Sequence, residues 1–355
     1  PAANAEMRSE EESTDMNIGL IKKKNSPMLR GTVINIVLAG LLLIVFFFGC
    51  NVGQYRMSIG KVFETLFGGG DESSRLALFE YRLPRLCLAI LVGLGMGMSG
   101  VVMQDLLHND LASPGTLGVS AGSGLLVTVY VALLQTNNSS AILLPVLALL
   151  GGLGSAGLIF LLGTSRKKRL QPTRLIMTGV AMSSAYGAVG TFMMLLLDDS
   201  QLEFLQRWQA GELWGVRWDY IVVFAIWILL FGFMTYRGGR TLNVINVGYD
   251  IARGLGVNVG RQFIYLSLCA VALSSASVAF GGNFFFLGLI GPHIARRLVG
   301  TDARVLLPAS GIVAGIIVLL ADMLVQGWTF LANIPTGIVI SVLSVPYFLY
   351  LLMKA

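Results

Sequence analysis

Charged side chains are scarce in this chain of 355 residues. Asp, Glu, Lys and Arg make up 12% of it, whereas 55% of the residues are hydrophobic and the mean hydropathy is +0.75. Soluble domains carry about 25% charged residues, so this chain has too few to cover a soluble surface. The composition therefore predicts an integral membrane protein.

Motifs of several enzyme classes are also missing. No GxxxxGK[ST] segment occurs, so the chain has no phosphate-cradling loop of its own and cannot hydrolyse ATP alone by that route. The only two histidines, His108 and His293, lie far apart and belong to no HExxH motif. We therefore expect no zinc or protease site and no resident metal.

Cysteine is equally sparse. The three cysteines, Cys50, Cys87 and Cys269, lie inside or at the ends of apolar runs. An odd number at such spacing predicts neither a disulfide framework nor a metal site. We expect all three to act as small packing residues.

Long apolar runs are what the sequence has instead. A membrane-spanning helix needs roughly 20 apolar residues, and hydropathy predicts about ten such helices, hence an all-α fold with both termini on one side of the membrane. The predicted spans are 33–49, 83–107, 116–134, 142–162, 175–197, 220–236, 263–280, 284–299, 305–325 and 337–353. The 43 glycines indicate close helix packing, since small residues let backbones approach.

The 25 basic residues outnumber the 19 acidic ones. In a soluble protein this excess would suggest a nucleic-acid partner, but in a membrane protein it indicates orientation, because Lys and Arg concentrate in cytoplasmic loops. With ten spans and a cytoplasmic N-terminus, most basic residues fall inside, including the runs at 22–24 and 166–169. We therefore predict two cytoplasmic termini, contact with the lipid bilayer and no nucleic-acid partner.

The sequence predicts an N-terminal tail followed by one membrane domain. Residues 1–30 begin as a polar, acidic stretch without periodicity, which predicts a cytoplasmic tail that is either disordered or an artificial extension. Residues 31–355 are predicted to form a single ten-helix membrane domain.

The stretch 82–122 combines a basic pair, an apolar span and a polar turn. Arg82 and Arg85 lie at the start of the span, and the segment 109–122, which contains Pro and Gly, follows it before the apolar run that begins at Leu125. Irregular backbone at membrane depth is tolerated only where protein or a water-filled cavity covers it. The turn is therefore a candidate pathway or gate, joined by one helix to the outward basic pair.

The loop 237–262 contains the sequence YDIARGLGVNVG. Asp250 and Arg253 have the i,i+3 spacing of a helical ion pair, and Gly254 and Gly256 are placed to end that helix. The loop is either a solvated connector or a docking surface for a cytoplasmic partner. We favour docking, because functional sites concentrate on loops.

Asp322 is the one clear carboxylate inside a predicted span. An intramembrane carboxylate is by default a functional candidate, but an interior hydrogen bond explains Asp322 equally well. A proton-coupled carrier would usually carry several such groups.

Several blocks resemble the permease subunits of type II ABC importers for iron-siderophores, haem and vitamin B12. The resemblance extends from about residue 33 to the C-terminus. It is carried by RLPR at 82–85, NDLASPGTLGVSAG at 109–122, TRLIMTGVA from Thr173, FFFLGLIGPHIARRLVG at 284–300, and ADMLVQ with IPTGIVISVLSVPYFLYLL near the end.

The resemblance implies a ten-helix subunit in the bacterial cytoplasmic membrane that is not itself an enzyme. It implies a second permease subunit, identical or different, and two cytoplasmic ATPases that bind ATP and Mg²⁺. An extracytoplasmic substrate-binding protein would deliver the cargo. We expect that cargo to be a ferric siderophore on family frequency, with haem or cobalamin as the alternative. An ion-coupled secondary transporter or a structural subunit fits these residues less well.

The resemblance also assigns roles to residues. Arg82 and Arg85 match arginines that receive glutamates of the binding protein, a pairing suited to the planar guanidinium. Asn109 and Leu111 match a cytoplasmic constriction, and Thr173 matches a second gate position. The loop positions that match the ATPase coupling helices are Tyr249, Asp250, Ala252, Arg253, Leu255, Gly256 and Val257.

Three departures from the family pattern bear on these roles. Gln326 stands where many relatives carry an arginine of the docking pocket, and 333–335 reads Asn-Ile-Pro in place of Glu-Leu-Pro. Both changes should weaken docking on this subunit. Asp110 replaces a usual proline, which predicts a looser backbone at the gate.

Overall fold

The computed structural model describes residues 27–53, 55, 57–134, 143–163, 172–213 and 216–354. Most of the predicted tail at 1–30 and the basic run at 166–169 lie outside the described residues. Within the described ranges every regular element is a helix and no strand occurs. This confirms the predicted all-α class.

The described residues form fifteen α-helices, numbered here in chain order. They are α1 (Pro27–Gly49), α2 (Ile59–Leu66), α3 (Glu72–Arg75), α4 (Leu83–Leu107), α5 (Val119–Leu134), α6 (Leu143–Gly163), α7 (Pro172–Met194), α8 (Asp199–Gln209), α9 (Trp218–Arg237), α10 (Gly239–Val247), α11 (Tyr249–Gly254), α12 (Val259–Gly281), α13 (Leu287–Val299), α14 (Ala303–Gly327) and α15 (Thr336–Lys354).

Each of the ten predicted spans falls on one of these helices. By length and composition, seven described helices are able to cross a membrane: α1, the continuous helix Glu72–Leu107 that includes α4, and α6, α7, α9, α12 and α14. Of the other three, α5 and α15 carry shorter apolar stretches, and α13 has 13 residues with two arginines in its last turn.

The second predicted span begins earlier in the structure than the sequence suggested. A π-helical segment, Leu76–Arg82, joins α3 to α4, so that helix runs without interruption from Glu72 to Leu107. Pro84 lies in the first turn of α4. Because proline has no backbone N–H, one hydrogen bond of the regular α-helical pattern is missing at this turn. The wider π-helical segment ends just before it, at Arg82.

Helix α4 occupies the centre of the described fold. Twenty of its residues are buried, and it packs most extensively on α14 and α12, with further contacts to α13 and α9. In contrast, only 6% of the apolar window of α1 and 17% of that of α7 is buried. These two helices therefore present most of their surface to lipid or to a partner subunit.

Glycines bring α4 into backbone contact with its neighbours. A Cβ added at Gly93 would lie 2.3 Å from Cα of Gly315 on α14, and one added at Gly100 would lie 2.0 Å from the carbonyl oxygen of Gly288 on α13. Neither position has room for a methyl group. The predicted role of glycine in close helix packing is confirmed at these contacts.

Candidate functional site

The N-terminal end of α4 holds a buried ion pair. Arg85 donates from Nε to Oδ1 and Oδ2 of Asp322 at 3.0 and 3.1 Å, and from Nη2 to Oδ1 at 2.8 Å. The carboxylate of Asp322 also accepts from the Gln326 amide and from Oγ1 of Thr336 at 3.1 Å. Asp322 is 0% exposed. The pair therefore links α4, α14 and the start of α15 through one carboxylate with no unpaired oxygen.

This arrangement confirms the interior hydrogen bond that the sequence left open for Asp322. It also explains Gln326 physically, since its amide donates to the carboxylate that Arg85 neutralises. A second arginine at position 326 would bring two cations to one carboxylate. The predicted weakening of docking by Gln326 stays a prediction.

Arg82 has different partners from Arg85. Its guanidinium donates from Nη1 to the carbonyl of Cys50 at 2.6 Å and from Nη2 to the carbonyl of Tyr55, and the residue is 6% exposed. Gly53 lies directly against it, with φ at +147°. Arg82 therefore holds the segment between α1 and α2 against α4. The structure does not bring the two predicted docking arginines together in one site.

A cavity of about 190 Å³ lies beside Arg85. The side chain of Arg85 keeps 23% of its surface exposed, and Glu212, Ile334 and Pro335 line the same cavity. The carboxylate of Glu212 is itself paired with Arg207 at 2.9 Å. Two residues of the departure at 333–335, Ile334 and Pro335, therefore line the same cavity as Arg85.

The C-terminal end of α4 holds a different charged cluster. Arg296 on α13 donates from Nη2 to Oδ1 of Asp105 at 2.9 Å and from Nη1 to Oδ1 of Asp110 at 2.6 Å. The side chain of Asp105 is 3% exposed, whereas that of Asp110 is 70% exposed. Oδ2 of Asp105 has no described partner. One guanidinium is thus divided between a buried and an exposed carboxylate.

One sequence interpretation needs correction here. Asp322 is not the one carboxylate inside a predicted span, because Asp105 is also buried within α4. The looser backbone expected at Asp110 stays a prediction, and the side chain of Asp110 contacts Arg296 on α13 at 2.6 Å. The sequence shows both aspartates close to an apolar run, but only the fold shows that Arg296 lies near them.

The polar turn after α4 is irregular, as predicted, with Asp110 and Leu111 exposed and the residues that follow them covered. His108 caps the helix in the left-handed region with φ at 47°. The side chain of Asn109 then accepts from the backbone N–H of Leu111 at 2.9 Å. Residues 112–115 are buried, and Gly115 lies against the ring of Phe285.

The predicted gate residues occupy different surroundings. Asn109 shapes the turn, and the Leu111 side chain is 46% exposed. Thr173 lies exposed in the first turn of α7. That helix meets the turn further along, where Gly179 lies against the backbone of Leu117.

The loop between α9 and α12 is a helical connector. Asp250 and Arg253 form the predicted i,i+3 pair at 2.7 Å. The short helix α11 ends at Gly254, and Gly256 follows with φ at +83°. Leu255 is 69% exposed. The loop therefore presents an apolar side chain and a solvated ion pair on one small surface.

This loop contacts the end of α4 directly. The hydroxyl of Tyr249 donates to the carbonyl of Leu106, and its ring packs edge-on against His108 at 4.7 Å. The ring of His108 lies 3.1 Å from the carbonyl of Ile245 on α10. Burial raises the pKa of Tyr249 to about 12, so the hydroxyl stays a donor at neutral pH. Sequence reasoning did not identify this contact, because it joins residues far apart in the chain.

Among the described residues, no group of three His, Cys, Asp or Glu side chains is placed to hold a metal. The three cysteines are free. At the ends of α4, Arg85 is paired with Asp322, and Arg296 with Asp105 and Asp110.

Comparison with known proteins gives one consistent family. The model of the FecCD transport family matches residues 41–354. The iron(3+)-hydroxamate import system permease protein FhuG of Bacillus subtilis is 37% identical over 338 residues, covering 94% of this chain and 99% of that protein. The iron-uptake system permease protein FeuC of the same organism is 35% identical, covering 88% and 95%. A solved metal-chelate type ABC transporter in an inward-facing conformation matches with a TM-score of 0.78 and 26% identity, covering 92% of this chain and 100% of that one.

Proposed function

This chain belongs to the FecCD transport family, and from that membership we propose that it carries a ferric siderophore through an ATP-driven importer. The chain is an ABC permease subunit and not itself an enzyme. The observation that carries the cargo proposal is the similarity to an iron(3+)-hydroxamate permease over 94% of this chain. The bacterial plasma membrane is the proposed location.

The proposed topology has ten membrane helices and two cytoplasmic termini, with residues 1–30 as a tail and 31–355 as the permease domain. The seven long apolar helices and the shorter apolar stretches of α5 and α15 support it. Residues 284–299, which include α13, would supply the remaining span.

The proposed assembly contains a second permease subunit, two cytoplasmic ATPases that bind ATP and Mg²⁺, and an external substrate-binding protein. The exposed apolar surface of α7 supports a subunit contact on that side. The segment from Tyr249 to Val257 would receive an ATPase, because its exposed surface is joined to the end of α4 through Tyr249.

Docking of the binding protein is proposed at Arg82 and Arg85. Arg85 is already paired with Asp322, so docking would leave that pair in place. A partner carboxylate would approach the exposed part of Arg85 from the cavity beside Glu212. Arg82 would act by holding the segment between α1 and α2 in place.

The cytoplasmic gate is proposed at Asn109, Leu111 and Thr173. An uncharged gate suits a large polar cargo, because no fixed ion site would trap it. Replacing the exposed Leu111 with Trp should slow release of cargo into the lumen during uptake by vesicles.

The test is uptake of an ⁵⁵Fe-labelled ferric siderophore into proteoliposomes that contain the complete transporter. We expect uptake with ATP and the binding protein, and none with a catalytically dead ATPase. Uptake that persists with the dead ATPase and collapses with an uncoupler would indicate an ion-coupled secondary transporter. Uptake of haem or cobalamin in place of ferric siderophores would assign the alternative cargo.

A further inference from the structure

Helix α2 carries an exposed apolar stripe that consists of Ile59, Phe63 and Phe67. The three residues recur at every fourth position, and Phe67 directly follows the last residue of the helix. They are 57%, 46% and 87% exposed, respectively. Because an α-helix repeats every 3.6 residues, positions four apart lie on one face. The stripe is therefore one continuous apolar surface that the described part of the protein leaves uncovered.

The other two faces of α2 fix its orientation. Val62 and Thr65 are buried, and Val62 packs in the main hydrophobic core. Lys61 and Glu64 form a polar face, on which Lys61 pairs with Asp71 at 2.7 Å. Turning the apolar stripe inwards would expose Val62, so the stripe has to stay on the surface.

The chain that precedes α2 is attached to α4. Arg82 donates to the carbonyls of Cys50 and Tyr55. The side chain of Ser58 then caps α2 by accepting from the backbone N–H of Lys61 at 3.3 Å. Helix α2 is therefore held in a defined position at the N-terminal end of α4.

The apolar stripe is continuous with the exposed surface of α1. The ring of Phe63 stacks on the ring of Phe47, with centroids 6.1 Å apart and an angle of 18° between the planes. Phe47 lies in the last turn of α1, and Phe48 beside it is also exposed. Since α1 is long and apolar enough to cross a membrane, the stripe begins where the apolar surface of a spanning helix ends.

Exposed aromatic residues mark the same level of the fold. Tyr81, just before α4, is exposed. Trp218, at the start of α9, donates from its indole to the carbonyl of Phe79 at 2.7 Å. Tyr and Trp are enriched where a membrane meets water. The end of α1 and the start of α4 therefore carry the side chains typical of a membrane surface.

We propose that α2 is an interfacial helix whose partner is the lipid leaflet on the side where α1 ends. Its apolar stripe inserts among the acyl chains just below the headgroups, and Lys61 and Glu64 stay among the headgroups or in water. Helices of this kind bury their apolar face about 5–10 Å into the boundary between headgroups and acyl chains. A soluble protein would not match this surface, because the stripe continues onto a helix that lies within the bilayer.

The test is site-directed spin labelling of the complete transporter in nanodiscs. The three native cysteines are first replaced with alanine, and a nitroxide is then attached in the variants Ile59→Cys, Phe63→Cys and Phe67→Cys. Power saturation measures collisions of the nitroxide with oxygen, which concentrates among acyl chains, and with the water-soluble complex NiEDDA. The ratio of oxygen to NiEDDA collisions should be several-fold higher at these three positions than in water.

The matched control is Glu64→Cys, since Glu64 is exposed on the polar face of the same helix. Its nitroxide should collide mainly with NiEDDA. Val37→Cys, at an exposed position in the middle of α1, gives the reference for a deeply inserted label. Melting temperatures equal to that of the alanine background show that the labelled variants are folded.

Two outcomes would overturn the proposal. Frequent NiEDDA collisions at all three stripe positions, equal to those at Glu64→Cys, mean that water covers the stripe. Infrequent collisions with both probes mean that protein covers it. Measuring with and without the loaded binding protein identifies that protein, because cover that appears only on its addition assigns the stripe to the binding protein, and constant cover assigns it to another subunit.

Discussion

The two ends of α4 each carry an arginine–aspartate contact to a neighbouring helix, but the contacts are built differently. At the N-terminal end one arginine meets one fully buried carboxylate, and every oxygen of Asp322 has a partner. At the C-terminal end Arg296 is divided between two carboxylates, of which Asp110 is exposed and Asp105 keeps an unpaired oxygen.

The N-terminal contact of α4 is therefore costly to break, whereas part of the C-terminal contact can be released at little cost. Breaking the Arg85 pair strands a charge in the protein interior, which is strongly unfavourable. Releasing Asp110 from Arg296 only returns an exposed carboxylate to water, while Asp105 keeps its cation. The C-terminal end, which carries the polar turn and meets α11, is therefore the end that can change at low energetic cost.

The largest effect is expected from Arg85→Gln. The substitution leaves the carboxylate of Asp322 buried without its cation, and the loss should be about 3–5 kcal/mol of folding free energy. A fall in the melting temperature of the purified protein measures it.

The control is the double variant Arg85→Gln with Asp322→Asn, which removes both charges together. It should recover most of the stability that the single change loses. If the double variant is as unstable as the sum of the two single changes, the two side chains are not energetically coupled.

A smaller loss is expected from Asp105→Asn. Arg296 keeps Asp110 as a partner, so the cost should be about 1.5–3 kcal/mol, the range for a hydrogen bond to a charged group. Thermal unfolding of the Asp105→Asn and Arg85→Gln variants, measured side by side, tests whether the first loses less stability than the second. An equal or larger loss of stability for Asp105→Asn would show that the C-terminal contact does not cost less to break than the N-terminal one.

Tyr249→Phe should cost about 0.5–1.5 kcal/mol, the range for one neutral hydrogen bond. Tyr249→Phe should have a larger effect on the coupling of ATP hydrolysis to transport, because the hydroxyl joins the loop to the carbonyl of Leu106. The measurement is stimulation of ATP hydrolysis by the loaded binding protein in the assembled transporter. Stimulation equal to that of the unaltered protein would argue against coupling through this contact.

The pH dependence of this contact follows from the raised pKa of Tyr249. The protonated hydroxyl is favoured in the folded state, so its stabilisation is complete below the ordinary tyrosine pKa of about 10. It is lost as the pH rises toward about 12. The difference in melting temperature between the unaltered protein and Tyr249→Phe should therefore stay constant from about pH 6 to pH 9.

The smallest effect on stability is expected from Asp110→Asn, below about 1 kcal/mol, because exposed ion pairs contribute little. Asp219→Asn is the matched control, since Asp219 is also exposed and also paired with an arginine. We expect Asp110→Asn, and not the control, to raise the ATP consumed per ferric chelate imported. If both variants consume the same amount of ATP per ferric chelate, the contact between Asp110 and Arg296 has no part in gating.

Much of the fold could be predicted from the sequence because membrane helices are encoded locally. Each apolar run is long enough to specify its own helix, and the turn after Leu107 is indicated by its own Pro, Gly and Asn residues. The start of the second span was placed too late, since a π-helical segment before Pro84 depends on how the helix continues, which hydropathy does not report.

The candidate site was less predictable because its contacts join distant parts of the chain. Arg85 and Asp322 are separated by 237 positions and Arg296 and Asp105 by 191. Each residue was visible in the sequence as a charge beside an apolar run, but nothing local specifies its partner. The role of Arg82 as a ligand for backbone carbonyls was hidden for the same reason.

The glycine contacts of α4 limit how this protein can move. Gly93 and Gly100 place α4 against the backbones of α14 and α13 with no room for a methyl group, so sliding one helix along another would force backbone atoms to collide. These three helices must travel as one rigid body. Helix α7 packs mainly on α5 and α6 and barely touches α4, so the glycine contacts that join α4, α13 and α14 do not extend to it.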